Sequence, residues 1–201
     1  MSWLFLALAA QFILATSAVF DKMLLKRGVF DPLVYTFWLG VLGIAAIVVT
    51  PFEFHWLPWR VVVEALVAGG VFLLAMFYLF RSLHESEASK SLLFIGALVP
   101  LTTLAAGYVW LREQVGIADY IGFSILVLGG LILFFVEDKQ LRFRIGLLSL
   151  ASAVFFGISN VLTKDVFEHG SFLTGFFWVK MGGVAAAVMC VLVPSFRRRI
   201  F

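Results

Sequence analysis

Leu6-Ala7-Leu8-Ala9-Ala10-Gln11-Phe12-Ile13-Leu14-Ala15-Thr16-Ser17-Ala18-Val19-Phe20-Asp21-Lys22 decides the fold, because the chain opens a second time on the same pattern. Shifted by 142 residues, Leu6, Leu8 and Ala9 meet Leu148, Leu150 and Ala151, and Ser17, Val19 and Lys22 meet Ser159, Val161 and Lys164. The register continues through Gly28/Gly170, Phe30/Phe172, Gly40/Gly182, Ala45/Ala187 and Val49/Val191, giving 11 identities in the 48 pairs of Trp3–Thr50 against Ile145–Leu192. In so apolar a chain, leucine and alanine matches arise easily by chance. The lysine and glycine matches carry the signal, and they fall at helix ends.

The remaining composition fixes the environment. Hydrophobic residues make up 63% of the 201 residues and charged ones 13%, and the mean hydropathy is +1.07. Soluble domains do not have this composition. A spanning helix needs about 20 mostly apolar residues. Seven segments qualify: Ser2–Phe20, Pro32–Pro51, Val61–Phe80, Ser91–Leu111, Ile117–Val136, Ile145–Leu162 and Phe172–Val193. The fold class is therefore an all-α polytopic membrane bundle. An odd number of spans separates the two starts, so the second copy enters from the opposite face, as in the inverted repeats of secondary transporters. Residues 1–138 read as a five-helix module and 139–201 as the first two helices of its inverted copy. The first segment has no basic leader and no small-residue cleavage pattern before Asp21, so it reads as a retained helix. The lone Cys190 has no internal disulfide partner.

Orientation follows from Lys and Arg. One side carries Lys22, Lys26, Arg27, Arg81, Lys90, Lys139, Arg142, Arg144, Arg197, Arg198 and Arg199, and the other Arg60, Arg112 and Lys164. The expected topology has the N-terminus outside and the Arg197-Arg198-Arg199 tail in the cytoplasm of a cell (plasma or inner) membrane. Because these basic residues are dispersed among loops, the net charge of +3 is a topology signal and not a nucleic-acid patch. Trp56 and Trp59 flank the third span as interfacial anchors.

Two stretches add a family resemblance. The third span ends Phe77-Tyr78-Leu79-Phe80-Arg81-Ser82-Leu83, followed by Glu85-Ser86-Glu87-Ala88-Ser89-Lys90 and a span with Pro100 at its middle. That span exits through Trp110-Leu111-Arg112-Glu113, and Gly122 and Gly129-Gly130 follow in the next one. Together they resemble the EamA-type module of the drug/metabolite transporter superfamily, over the whole chain. The order and spacing of the motifs carry the likeness, since none is specific alone. The resemblance implies a ten-helix carrier of two inverted five-helix halves with a small organic solute between them. It also implies a cytoplasmic N-terminus, against the charge count. This chain has five helices plus two. A C-terminal three-helix segment would be missing, or a homodimer would complete the cavity.

Seven residues are candidate solute contacts. Lys180 lies about 12 Å inside the last span at 1.5 Å per residue, where a charge usually marks a solute or ion path; the alternative is a lysine that snorkels to the interface. Its repeat mate is Trp38. Glu64, one turn inside the third span on the same membrane side, can pair with Lys180 or face interfacial water. Gln11 and Asn160, with Thr16, Ser17 and Ser159, are polar groups at matching depths of the two starts, suited to hydrogen-bonding a solute or to joining helices. Pro100 removes a helical hydrogen bond and either opens a cavity wall or only kinks the helix, with Thr102 and Thr103 placed to satisfy the freed carbonyl. Tyr78 and Trp38 read as cavity or belt aromatics. Gly40, Gly43, Gly122, Gly129, Gly182 and Gly183 are expected to let helices approach closely.

Other classes find little support. His84-Glu85-Ser86-Glu87 lacks a second cluster to complete a metal shell. There is no phosphate loop, nucleophile elbow or paired carboxylate motif, so an enzyme and a cofactor are not expected. A lysine in a seventh span also outlines a retinal-binding pump, but Phe176 stands one turn before it where an aspartate is needed, and the internal repeat has no place there. The expectation is a secondary transporter, an exporter of small organic metabolites or drugs by alternating access, with solute and lipid bilayer as partners. The alternative is a truncated, non-transporting membrane protein or an assembly partner of a larger carrier.

Overall fold

The computed structural model describes residues 2–26, 31–85, 88–112, 116–134 and 139–200, and the regular structure among these residues is entirely helical. The order is α1 (Ser2–Lys26), α2 (Pro32–Leu42) continued by a 3-10 stretch (Gly43–Val49), α3 (Trp59–Glu85), α4 (Ala88–Trp110), α5 (Ile117–Phe134), α6 (Lys139–Glu168), α7 (Phe172–Leu192) and a short α8 (Pro194–Ile200). Among the described residues, six helices are long and apolar enough to cross a membrane. They correspond to six of the seven expected spans. The remaining one, α5, has 18 residues and reaches about 27 Å, at the lower edge of a hydrocarbon core; the last two residues of the expected span lie outside the described residues. The second span owes its length to the 3-10 stretch. Eleven α-helical residues rise about 16 Å and seven 3-10 residues about 14 Å, together about 30 Å.

Local chemistry sets the helix starts. Asp31 accepts a hydrogen bond from the Leu33 backbone N–H at 2.8 Å, and Pro32 occupies the first helical position of α2. The side chain of Ser171 accepts from the Thr174 N–H at 3.4 Å to cap α7.

α3 is the axis of the bundle. Its most extensive contacts are with α6 and α7, and α6 also lies along α4. Residues 139–201 are therefore threaded among the helices of 1–138. Polar groups at seven-residue spacing fasten α3 to α6. Ser159 donates to the Ala68 carbonyl at 2.9 Å, Ser152 to the Ala75 carbonyl at 3.0 Å, and the hydroxyls of Ser149 and Ser91 each meet Ser82 at 2.9 Å. All five serines are buried. In lipid, such bonds and close backbone packing replace the hydrophobic effect as interhelical adhesive. At the same end, Arg144 meets Glu85 at 2.9 Å.

The closest approach is between α3 and α7. A Cβ on Gly69 would fall on the Val179 carbonyl and 2.7 Å from the Gly183 nitrogen, and one on Gly182 would fall on the Leu66 backbone. Gly40 is close against Ala187, as the sequence suggested. Among the described residues nothing comes within 4 Å of the Cβ position of Gly122 or Gly129. Pro100 likewise leaves α4 continuous. Thr102 donates toward the carbonyls of Val99 at 3.0 Å and Ala153 on α6 at 2.7 Å, so it joins helices and does not serve the carbonyl one turn before the proline.

α1 is held at one end only. Leu25 packs with Phe80 and Leu83, Tyr35 donates to Asp21, and Lys22 donates to the Leu83 carbonyl. From Leu4 to Ser17 every residue is exposed.

Candidate functional site

A cavity of about 590 Å³ lies among α2, α3, α6 and α7. α2 and its 3-10 extension supply one wall through Leu39, Gly43, Ala46 and Val49. α3 supplies Gly69, Phe72 and Met76, α6 supplies Ser159, Asn160 and Thr163, and α7 supplies Phe176, Lys180 and Gly183. The Gly69–Gly182 crossing brings α3 and α7 together beside the cavity.

Lys180 is the ninth of the 21 residues of α7. Its ammonium sits 5.3 Å from the ring centroids of both Phe72 and Phe176. Such contacts offset part of the cost of holding a cation in an apolar wall. Among the described residues no carboxylate reaches ion-pair distance of Lys180. Asn160 lines the same cavity from α6, and its amide donates to Thr103 at 3.4 Å, between α6 and α4. The combination is one cation, one amide and two hydroxyl-bearing residues within a largely aliphatic and aromatic wall. It suits an amphiphile that carries one anionic group.

The structure thus brings Asn160 and Lys180 to one place. The Glu64–Lys180 pair does not form. Glu64 projects from the other side of α3, beside Trp110, Asp165 and Arg60, and its Oε1 is buried without a hydrogen-bond partner. Being on one membrane side did not put the two on one helix face. Gln11 is exposed on α1. Trp38 is 48% exposed, on the outer side of α2. Tyr78 stacks on Phe155 at 5.6 Å between α3 and α6. Gln11, Trp38, Tyr78 and Pro100 line neither this cavity nor the groove at Glu64. Ser159 lines the cavity but spends its hydroxyl on Ala68, and Thr16 spends its own on Phe12 one turn back.

Phe72, Phe176 and Thr163 were not among the sequence-derived candidates. Phe176 was legible in principle, because a residue four before Lys180 on a helix shares its face. Phe72 was not, since only the packing of α3 against α7 selects it.

A model of the EamA-like transporter family matches residues 1–135, two thirds of the chain, and the chain belongs to that family. Among curated proteins and among solved structures nothing matches it.

Proposed function

From that membership and the cavity around Lys180, we propose that this multi-pass membrane protein moves a small organic anion, a carboxylate- or phosphate-bearing amphiphile, by alternating access. The observation that carries the reading is the Lys180 ammonium, poised between two phenyl rings with no carboxylate of the described residues at ion-pair distance. A cation in a low-dielectric wall attracts an anionic group and repels a lipophilic cation. Asn160 and the Thr163 hydroxyl add directional hydrogen bonds. The cavity lies between α2–α3 and α6–α7, and on the reading of residues 139–201 as the start of an inverted copy this is where inverted-repeat carriers hold their solute. The proposed direction is export, driven by a proton or solute gradient across a plasma or inner membrane. The charge bias places the N-terminus outside.

The test is solute protection followed by flux. Carboxylate and phosphate amphiphiles should raise the unfolding temperature of the purified protein, and quaternary ammonium compounds should not. Lys180→Met should abolish both protection and liposome flux while still inserting. Lys180→Arg should retain part of each, since charge is kept but the compact donor is not. Flux by Lys180→Met equal to wild type would reduce Lys180 to a packing residue.

A second reading has its own observation. α6 is packed along α3 and α4, whereas its repeat mate α1 is exposed from Leu4 to Ser17. The pseudo-symmetric partners of α1 would be helices equivalent to α3 and α4, supplied by further chain or by a second copy. On this reading the 201-residue chain alone is an assembly partner and does not transport. A monodisperse monomer that carries solute in liposomes would eliminate it.

A further inference from the structure

A second groove, of about 680 Å³, runs between α3, α4 and α6 on the side away from the Lys180 cavity. Its walls are apolar: Val63 and Val67 from α3, Val109 from α4, Ile158 and Leu162 from α6. Its polar groups gather at one end, where α3 begins and α4 and α6 finish. Arg60 and Glu64 project from the first turns of α3, and Trp110 closes the end of α4. Asp165 on α6 neighbours Glu64, and His169 stands 3.3 Å from the Asp165 carboxylate. On α3, positions 60, 63, 64 and 67 form one stripe about 10 Å long.

This is the charge distribution of a membrane lipid laid against the bundle. A guanidinium for phosphate and carboxylates for an ammonium sit at the depth of an interfacial tryptophan, and an apolar trough continues from them toward the bilayer centre. Arg60 presents the planar fork that suits a phosphate. Glu64 holds one oxygen without a hydrogen-bond partner and has a second carboxyl group, Asp165, beside it. A purely anionic headgroup would be drawn to Arg60 but repelled by both carboxylates. A quaternary ammonium has no N–H to donate. We propose that this groove binds a phospholipid with a primary-amine headgroup, its phosphate on Arg60, its ammonium on Glu64 and an acyl chain along Val63, Val67 and Val109. The site is separate from the transport cavity and independent of what that cavity carries.

The test uses the full chain in mixed micelles containing dioleoyl phosphatidylethanolamine, phosphatidylcholine and phosphatidylglycerol in equal amounts, with retained lipid counted by native mass spectrometry. The ethanolamine lipid should be retained about tenfold or slightly more over the choline lipid, the worth of one charge-assisted hydrogen bond at the low end of its range. Glu64→Gln should erase that preference. Arg60→Gln should lower retention of both zwitterionic lipids. Val109→Trp fills the trough from a position 77% exposed and should lower retention of all lipids without disturbing the bundle. Equal retention of ethanolamine and choline lipids by the wild type overturns the proposal, as does strongest retention of the glycerol lipid. An ethanolamine preference that survives Glu64→Gln also overturns it. Should Glu64→Gln fail to fold, unchanged retention by Val109→Trp refutes it alone.

Discussion

Gly182→Ala adds a single methyl group at the α3–α7 crossing. Its Cβ would stand 2.7 Å from the Leu66 Cα and 2.8 Å from the Leu66 carbonyl carbon, where ordinary contact begins at 3.4 Å. Those neighbours are backbone and cannot rotate aside, so α3 and α7 must separate by the better part of an ångström. Forced overpacking of this kind costs about 1–3 kcal/mol. The intrinsic helix preference of alanine over glycine returns about 1 kcal/mol. The net is a loss of roughly 0–2 kcal/mol. Gly122→Ala is the matched control, with nothing within 4 Å of its Cβ position, and it keeps the gain of about 1 kcal/mol. The same chemical change at two glycines should therefore differ by about 1–3 kcal/mol, with opposite signs at the outer range. Reversible unfolding of the detergent-solubilised protein by added SDS, followed by circular dichroism, measures both. Gly182→Ala as stable as Gly122→Ala would refute the close crossing, and with it the wall that holds Lys180 against Phe72.

Ser152→Ala should cost about 0.6–2 kcal/mol in the same assay, because Ala75 loses its donor inside a buried interface, whereas Ser17→Ala, exposed on α1, should stay within about 0.5 kcal/mol of wild type. A cysteine placed at Pro58 in a Cys190-free background should react with an impermeant reagent from outside and one at Lys139 should not; labelling at Lys139 alone would reverse the orientation. The imidazole of His169 should titrate above 6.5 by NMR, since the Asp165 carbonyl accepts its Nδ1 proton at 2.8 Å and the Asp165 carboxylate adds charge. Its stabilising contact is complete below the ordinary histidine pKa and lost as the pH rises through the folded value; Asp165→Asn should lower the midpoint only partly, because the carbonyl remains.

The spans were legible because a bilayer imposes a length and an apolar composition on any helix that crosses it. The expectation of an inverted start rests on Lys22/Lys164 and Gly40/Gly182, which stand out against an apolar background. The azimuth of each helix was not. Gln11, Thr16, Ser17, Ser159 and Asn160 were placed at matching depths, but depth alone does not say whether a polar group faces a solute or a neighbouring carbonyl. The α3–α6 seam shows what decides: Ser152 and Ser159 repeat every seven residues, and so do Ala75 and Ala68 opposite them. That spacing marks a packing stripe, and solute contact requires departure from it. Asn160, one residue off the stripe, lines the cavity with Thr163, whereas Ser159 lines it with its hydroxyl already bonded to Ala68. Glu64 failed as a partner for Lys180 for the same reason, since its stripe faces α4 and the cavity stripe of α3 runs through Gly69, Phe72 and Met76.

The repeat mates Trp38 and Lys180 carry the asymmetry furthest. Trp38 is 48% exposed and packs edge-on against Phe37 at 5.4 Å, while Lys180 is half-buried on a cavity wall shared with α3 and the α2 extension. The difference follows from what each helix packs against. α7 lies between α3 and α2, so its inner face meets a wall on both sides. α2 meets α3 and α7 on one side and presents the other outward. A lysine at position 38 would face hydrocarbon, at a cost of about 2.5–3.5 kcal/mol near a helix centre, with no ring above and below it. A tryptophan there is amphipathic and needs no partner. Of the two positions that the 142-residue register aligns, the one on α7 is the better able to hold a charge.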